Sequence, residues 1–196
     1  EPEAERVLRL RAADCNAPTQ FVTSPHEGRV ALIGTYQREN AALAVAVLRA
    51  GKISVSAEAI RHGLTNVEWP ARFQIFDDQI VIDGAHNVAG ARMVVQTWRE
   101  VFRDEKVTII FGVLMDKDVA EIYRTLSGMA DSVLLPAFRG ERALAPEELA
   151  KIVASGQPDK ACVTRASGAA AIRRLRPHSP PAQTPGRLNF AGGLPP

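Results

Sequence analysis

The chain reads as an α/β protein whose second part is a mostly parallel sheet with helices on both faces. Three observations lead there. Val107 to Phe111 is an unbroken apolar run of strand length, without the polar alternation of a half-exposed strand. Amphipathic stretches flank it at helical spacing, with Ala91, Val94, Val95, Trp98 and Phe102 on one stripe and Val119, Ile122, Tyr123, Leu126 and Met129 on the next. Strand-like and helix-like segments then alternate as far as Leu175, the pattern of β-α-β units.

Taken in order, the elements divide near Glu68-Trp69-Pro70. Residues 1–68 open with a helical stretch around Val7 to Ala13 and a short apolar run, Gln20 to Thr23, after which Gly28 and Gly34 punctuate the chain. Gln37 to Ala50 is rich in Ala, Leu and Val on almost every side, which predicts a buried helix. Ala57 to Leu64 predicts a second, shorter one. This part reads as the end of a domain whose beginning lies elsewhere. In residues 69–176, Phe73 to Phe76 and Ile80 to Ile82 predict short strands around a tight turn at Asp77-Asp78. A helix follows from Ala89 to Arg103, and Ser132 to Leu135 is a further strand. Pro146-Glu147-Glu148 opens another helix, with proline and two acids where a first turn favours them. Ala161 to Thr164 is the last clear strand, and Ser167 can cap a helix from Gly168 to Leu175. Residues 177–196, Pro-rich from His178 to Pro185, are expected to form a disordered tail without a strand.

Composition narrows the function classes. With 46% hydrophobic and 23% charged residues of both signs, the chain is an ordinary globular sequence, and a net charge of +2 gives no footing for nucleic acid or an anionic membrane. Cys15 and Cys162 make neither a disulfide framework nor a zinc cluster. No apolar stretch approaches the ~20 residues a membrane helix needs. The acidic start, Glu1 to Glu5, lacks a leader's basic-then-apolar layout, so a cytoplasmic location is expected. The chain does not begin with Met and is expected to start inside a larger protein.

Ligands of parallel sheets sit beyond the carboxyl ends of the strands, which directs the search for chemistry. Val81-Ile82-Asp83-Gly84-Ala85-His86-Asn87 delivers an acid, an imidazole and an amide into a strand-to-helix loop. Asp83 can accept hydrogen bonds from a ribose or help hold a cation near phosphates. His86 can donate to a phosphate or pack on a ring, and Gly84 permits a tight backbone path. The plain alternative is that Asp83 and Asn87 cap the next helix. In Gly34-Thr35-Tyr36-Gln37-Arg38-Glu39-Asn40-Ala41-Ala42, Asn40 sits next to small residues and can offer its amide to the edge of a base, unless this is an ordinary helix start. In Glu68-Trp69-Pro70-Ala71-Arg72-Phe73, the donor fork of Arg72 suits a phosphate, or else a surface ion pair. Met115-Asp116-Lys117-Asp118 lies at the ligand edge too but reads more simply as a helix start, and Arg139-Gly140-Glu141-Arg142 as a solvated loop.

In this order, the three motifs resemble the Mur-ligase superfamily, most closely its folylpolyglutamate and dihydrofolate synthases, with their Gly-x-x-Gln-x-x-Asn-Ala-Ala, Trp-Pro-Gly-Arg and Asp-Gly-Ala-His-Asn elements. The resemblance covers roughly Gln20 to Leu175, with Ala71 and Val88 standing where the family has Gly and Pro. It implies a Rossmann-like C-terminal domain preceded by the tail of a central ATP-binding domain. It also implies that Asn40, Arg72, Asp83 and His86 bind ATP, with Arg72 and His86 serving catalysis. The implied reaction adds L-glutamate to folate or dihydropteroate through an acyl phosphate. Mg²⁺ accompanies ATP, with its ligands mainly in the preceding part, and the partners are small molecules acting on a monomer. No Gly-x-x-x-x-Gly-Lys-Ser/Thr loop is present, so the chain alone is expected to be inactive. A cell-wall Mur ligase, another amide ligase and a non-catalytic nucleotide- or partner-binding module stay open as alternatives. The family's closing strand has no match after Leu175, so the sheet is expected to lack it.

Overall fold

In a computed structural model, residues 2–156, 161–167 and 188–192 are described. The elements are α1 Pro2–Asp14, α2 Tyr36–Ala50, α3 Ala57–Asn66, β1 Gln74–Phe76, β2 Ile80–Asp83, α4 Val88–Phe102, β3 Val107–Phe111, α5 Val119–Ser127, β4 Ala130–Ala137, α6 Pro146–Gly156, β5 Ala161–Ser167 and β6 Leu188–Gly192. The strands form one sheet in the order β1-β2-β6-β3-β4-β5. Every neighbouring pair is parallel except the β1–β2 hairpin at one edge.

The hairpin closes as its sequence suggests. Asp77 and Asp78 both take left-handed backbone angles, φ 50° and 52°, and the Gln79 amide donates to the Phe76 carbonyl at 3.0 Å. Two successive positive φ values make a type I′ turn, whose twist suits a hairpin. At the sheet centre all five residues of β3 are buried, which explains its unbroken apolar run. Helices α4, α5 and α6 lie side by side, α4 against α5 and α5 against α6. The α4 stripe meets the sheet through Ala91, Val94 and Trp98, with Val95 and Phe102 partly buried beside them, and the whole α5 stripe is buried. Trp98 is fully buried because its one polar atom is satisfied, Nε1 donating to the Glu105 carbonyl at 2.8 Å. Its ring lies 4.5 Å from Phe102 and 6.4 Å from Phe73.

Helix starts follow side-chain chemistry. Asn87 Oδ1 accepts from Gly90 N at 2.7 Å to open α4, and Asp118 Oδ1 accepts from Glu121 N at 3.2 Å to open α5. For Asn87 and for Met115 to Asp118 the plain capping interpretation therefore holds. Arg139 to Arg142 forms an exposed loop.

Three expectations need correction. The tail is not strandless, because Leu188–Gly192 is β6 and lies between β2 and β3 with a parallel ladder on each side. A central parallel strand of this length draws its stability from two neighbours, which composition cannot report. The helix α2 is not buried all round. Gln37, Ala41 and Val45 are buried, but Leu43 and Val47 are 54% and 59% exposed, because the described residues leave the face that carries them open. Finally, Gly84 needs no glycine-only backbone, since a Cβ there would meet only the Ala71 carbonyl at an ordinary 3.5 Å. The helix expected over Gly168 to Leu175 lies outside the described residues.

Candidate functional site

The polar loop at the end of β2 is fastened to the linker that precedes β1. Asp83 is 4% exposed, and its carboxylate is committed to backbone, Oδ2 accepting from Phe73 N and Oδ1 from Ala85 N, each at 2.8 Å. Between them Gly84 N donates to the Ala71 carbonyl at 2.8 Å. Residues 71–73 and 83–85 are thereby zipped together. Ala71 and Phe73 hold φ values of 57° and 46°, a left-handed backbone that glycine adopts more easily. Burial pushes the Asp83 carboxyl above its ordinary range, against the pull of the Phe73 and Ala85 amides and the Arg72 charge.

Arg72 stands in the middle of this zipper with its side chain exposed. Its charge reaches both Asp83 and the Tyr36 phenol, whose pKa is raised by burial and then by Asp83, with Arg72 pulling it down. Arg72 also lines a cavity of about 540 Å³ together with Trp69 from the linker and Gln37 and Asn40 from α2. The remaining wall is mostly apolar, from α2, α3 and residues 30–32. Asn40 and Arg72 thus share one space, and Asp83 is not among the cavity-lining residues. His86 is exposed on the same loop, its Nδ1 3.0 Å from the Gly84 carbonyl, and is not among the cavity-lining residues.

Sequence reasoning missed what seats the first motif. Gly34 has φ 108°, and a Cβ there would meet Thr97 Oγ1 and the Tyr36 ring at 2.7 Å, so glycine is required on both counts. Thr35 binds α4, its amide and hydroxyl donating to the two Glu100 oxygens at 3.1 and 2.6 Å, and Gln96 Nε2 donates to the Thr35 hydroxyl at 3.0 Å. Burial works against the charge of Glu100, but the Thr35 hydroxyl, Gln96 Nε2 (2.8 Å) and the Thr35 amide, all donating to its carboxylate, hold it below the usual range. A glycine followed by Thr was the visible signal, but its partners are 61 and 65 residues away.

The mostly parallel sheet and its flanking helices place the molecule among the α/β proteins. Its family is more definite. Residues 71–182 match the family of the Mur ligase, glutamate ligase domain, and the chain belongs to that family. It is 32% identical over 127 residues to the dihydrofolate synthase/folylpolyglutamate synthase of Bacillus subtilis, a match covering 62% of this chain and 30% of that protein. It superposes on the Mycobacterium tuberculosis folylpolyglutamate synthase complexed with ADP with TM-score 0.69 and 29% identity, over 84% of this chain and 38% of that one. The bifunctional folylpolyglutamate synthase/dihydrofolate synthase from Yersinia pestis, complexed with AMPPNP and Mn ion, gives 0.69 and 27%, over 85% and 38%. The chain therefore spans about a third of the length of these relatives. The resemblance carried by the three motifs is borne out.

Proposed function

We propose that this chain is the C-terminal part of an ATP-dependent ligase that joins L-glutamate to folate or dihydropteroate. The observation that carries the reading is the fastening of Arg72 beside the Asp83 loop, on a cavity it shares with Asn40. The relatives, complexed with ADP or AMPPNP, support nucleotide as the ligand of this seam.

The residues fit a nucleotide. Asn40 offers an amide to the base, and Arg72 supplies a guanidinium to phosphate oxygens while its linker position lets it follow domain closure. Asp83 fixes the loop that carries His86, which is exposed and able to donate to a phosphate oxygen. In the ligation, a carboxylate oxygen of the pteroyl or folyl acceptor attacks the terminal phosphorus and ADP departs with the bridging oxygen. The glutamate amine then attacks the acyl carbon and phosphate leaves, closing the amide. Arg72 counters the negative charge of the first transfer.

The reading includes Mg²⁺ accompanying ATP. Among the described residues no group of three or more His, Cys, Asp or Glu is arranged to hold a metal ion, so no step is assigned to one. The reading includes a cytoplasmic monomer with small-molecule partners. Among the described residues no helix is long and apolar enough to cross a membrane.

The test is ATP-dependent incorporation of labelled L-glutamate into dihydropteroate or a reduced folate by the complete gene product. Arg72→Ala should lower kcat/KM by about 100-fold, the scale for removing one preorganised charge partner. Undiminished turnover in that variant, or turnover only with a cell-wall acceptor, overturns the reading.

A further inference from the structure

The cavity has walls from two parts of the chain. Asn40 comes from α2, whereas Trp69 and Arg72 come from the linker that is zipped to the Asp83 loop. How these walls face each other depends on where α2 is fastened to the second part, and Thr35 is such a place. At a helix start, a threonine hydroxyl ordinarily caps its own first turn. Here the Thr35 backbone is already helical, φ −60° and ψ −34°, and its side chain makes no cap. It turns instead to α4, where the Glu100 carboxylate accepts from both its amide and its hydroxyl. Gln96 braces the pair, its Nε2 donating to Thr35 Oγ1 and to Glu100 Oε1. The helix α4 is itself anchored on the sheet through Ala91, Val94 and Trp98. It follows the Asp83 loop at its start and grips α2 from its last turn. The gripping bonds are exposed, where such contacts add little to global stability. What they fix is geometry.

We infer that Thr35 and Glu100 are positioning residues, a clamp that holds α2 so that Asn40 and Arg72 face one cavity before any ligand arrives. This rests on the nucleotide reading above and goes beyond it, adding two residues that touch no substrate. A wall set in advance spares the ligand the cost of ordering it, which strengthens binding. On that reading Asn40 meets the base, away from the reacting phosphorus. A loosened α2 therefore weakens the ground state and the transition state alike. The loss falls on KM for ATP and spares kcat.

The test is steady-state kinetics of the complete gene product, with ATP and L-glutamate varied in turn. Thr35→Val keeps the shape of the side chain without its hydroxyl, and Glu100→Ala removes the acceptor of both bonds. Each should raise KM for ATP by about tenfold, the scale of one lost charge-assisted bond. Both kcat and KM for L-glutamate should stay within about twofold of wild type. Thr35→Ser restores the hydroxyl and should restore KM for ATP. The thermal unfolding midpoint should move by no more than about 3 °C, the scale for an exposed contact. A Thr35→Ser protein as impaired as Thr35→Val, or a rise in KM matched by a larger fall in the midpoint, marks a merely structural tie and overturns the inference. So does a fall in kcat at unchanged KM. If the variants keep the wild-type KM for ATP, the inference fails and the nucleotide reading stands. If the wild-type protein shows no ATP-dependent incorporation of glutamate, both fail. The comparison of Thr35→Val with Thr35→Ser decides the matter even where Glu100→Ala does not fold.

Discussion

At the scale of single residues, Asp83 does structural work that its place in a polar motif conceals. Both carboxylate oxygens are taken by backbone amides, so Asp83→Ala leaves the buried Phe73 N–H and the partly buried Ala85 N–H unmet. The expected loss is about 2–4 kcal/mol, read from urea unfolding midpoints, because each unmet buried donor costs about 1–3 kcal/mol. The pH dependence has a definite sign. Burial raises the Asp83 pKa above 3.8, so the folded state binds its proton more tightly than the unfolded state. The stability linked to that proton is complete below pH 3.8 and is lost as pH rises through the raised value. Asp83→Asn is always neutral, so its deficit against wild type should shrink as pH climbs above about 4. A constant or widening deficit contradicts this.

At the scale of elements, α2 and α4 show that apolar content and burial are separate quantities. The α4 stripe is narrow and meets the sheet, so Trp98→Ala should cost about 3–5 kcal/mol. On α2, Leu43 is exposed, and Leu43→Glu should stay within about 0.5 kcal/mol. Chemical denaturation of the two variants side by side checks the contrast, and a cost for Leu43→Glu approaching that of Trp98→Ala would show that α2 packs on more than one side. A helix apolar on every side calls for neighbours all round. Among the described residues the buried positions of α2 are Gln37, Ala41 and Val45, a single stripe.

At the scale of the whole molecule, β6 is the keystone of the sheet. It aligns Gly192 with Asp83 of β2 and with Phe111 of β3, so the carboxyl ends of three strands are brought level by a segment far along the chain. Ending the chain at Arg187 removes a central ladder on both sides and leaves the facing backbone of β2 and β3 unpaired. That chain should lose its single cooperative unfolding transition, followed by circular dichroism. An unchanged midpoint would mean that β2 and β3 do not depend on β6.

By itself the sequence determined the β3 core, the stripes of α4 and α5, the hairpin turn and the motifs that carry the family, because each depends on residues adjacent or a few positions apart. Asn40 and Arg72 were legible as candidates through their motifs, and the cavity they share is a fact of packing. Gln37 was visible only as a motif letter, since its burial at the cavity is a product of packing. The insertion of β6 and the clamp of Thr35 on Glu100 belong to the tertiary structure alone. Both join segments far apart along the chain, and their energy comes from partners that no local pattern can name.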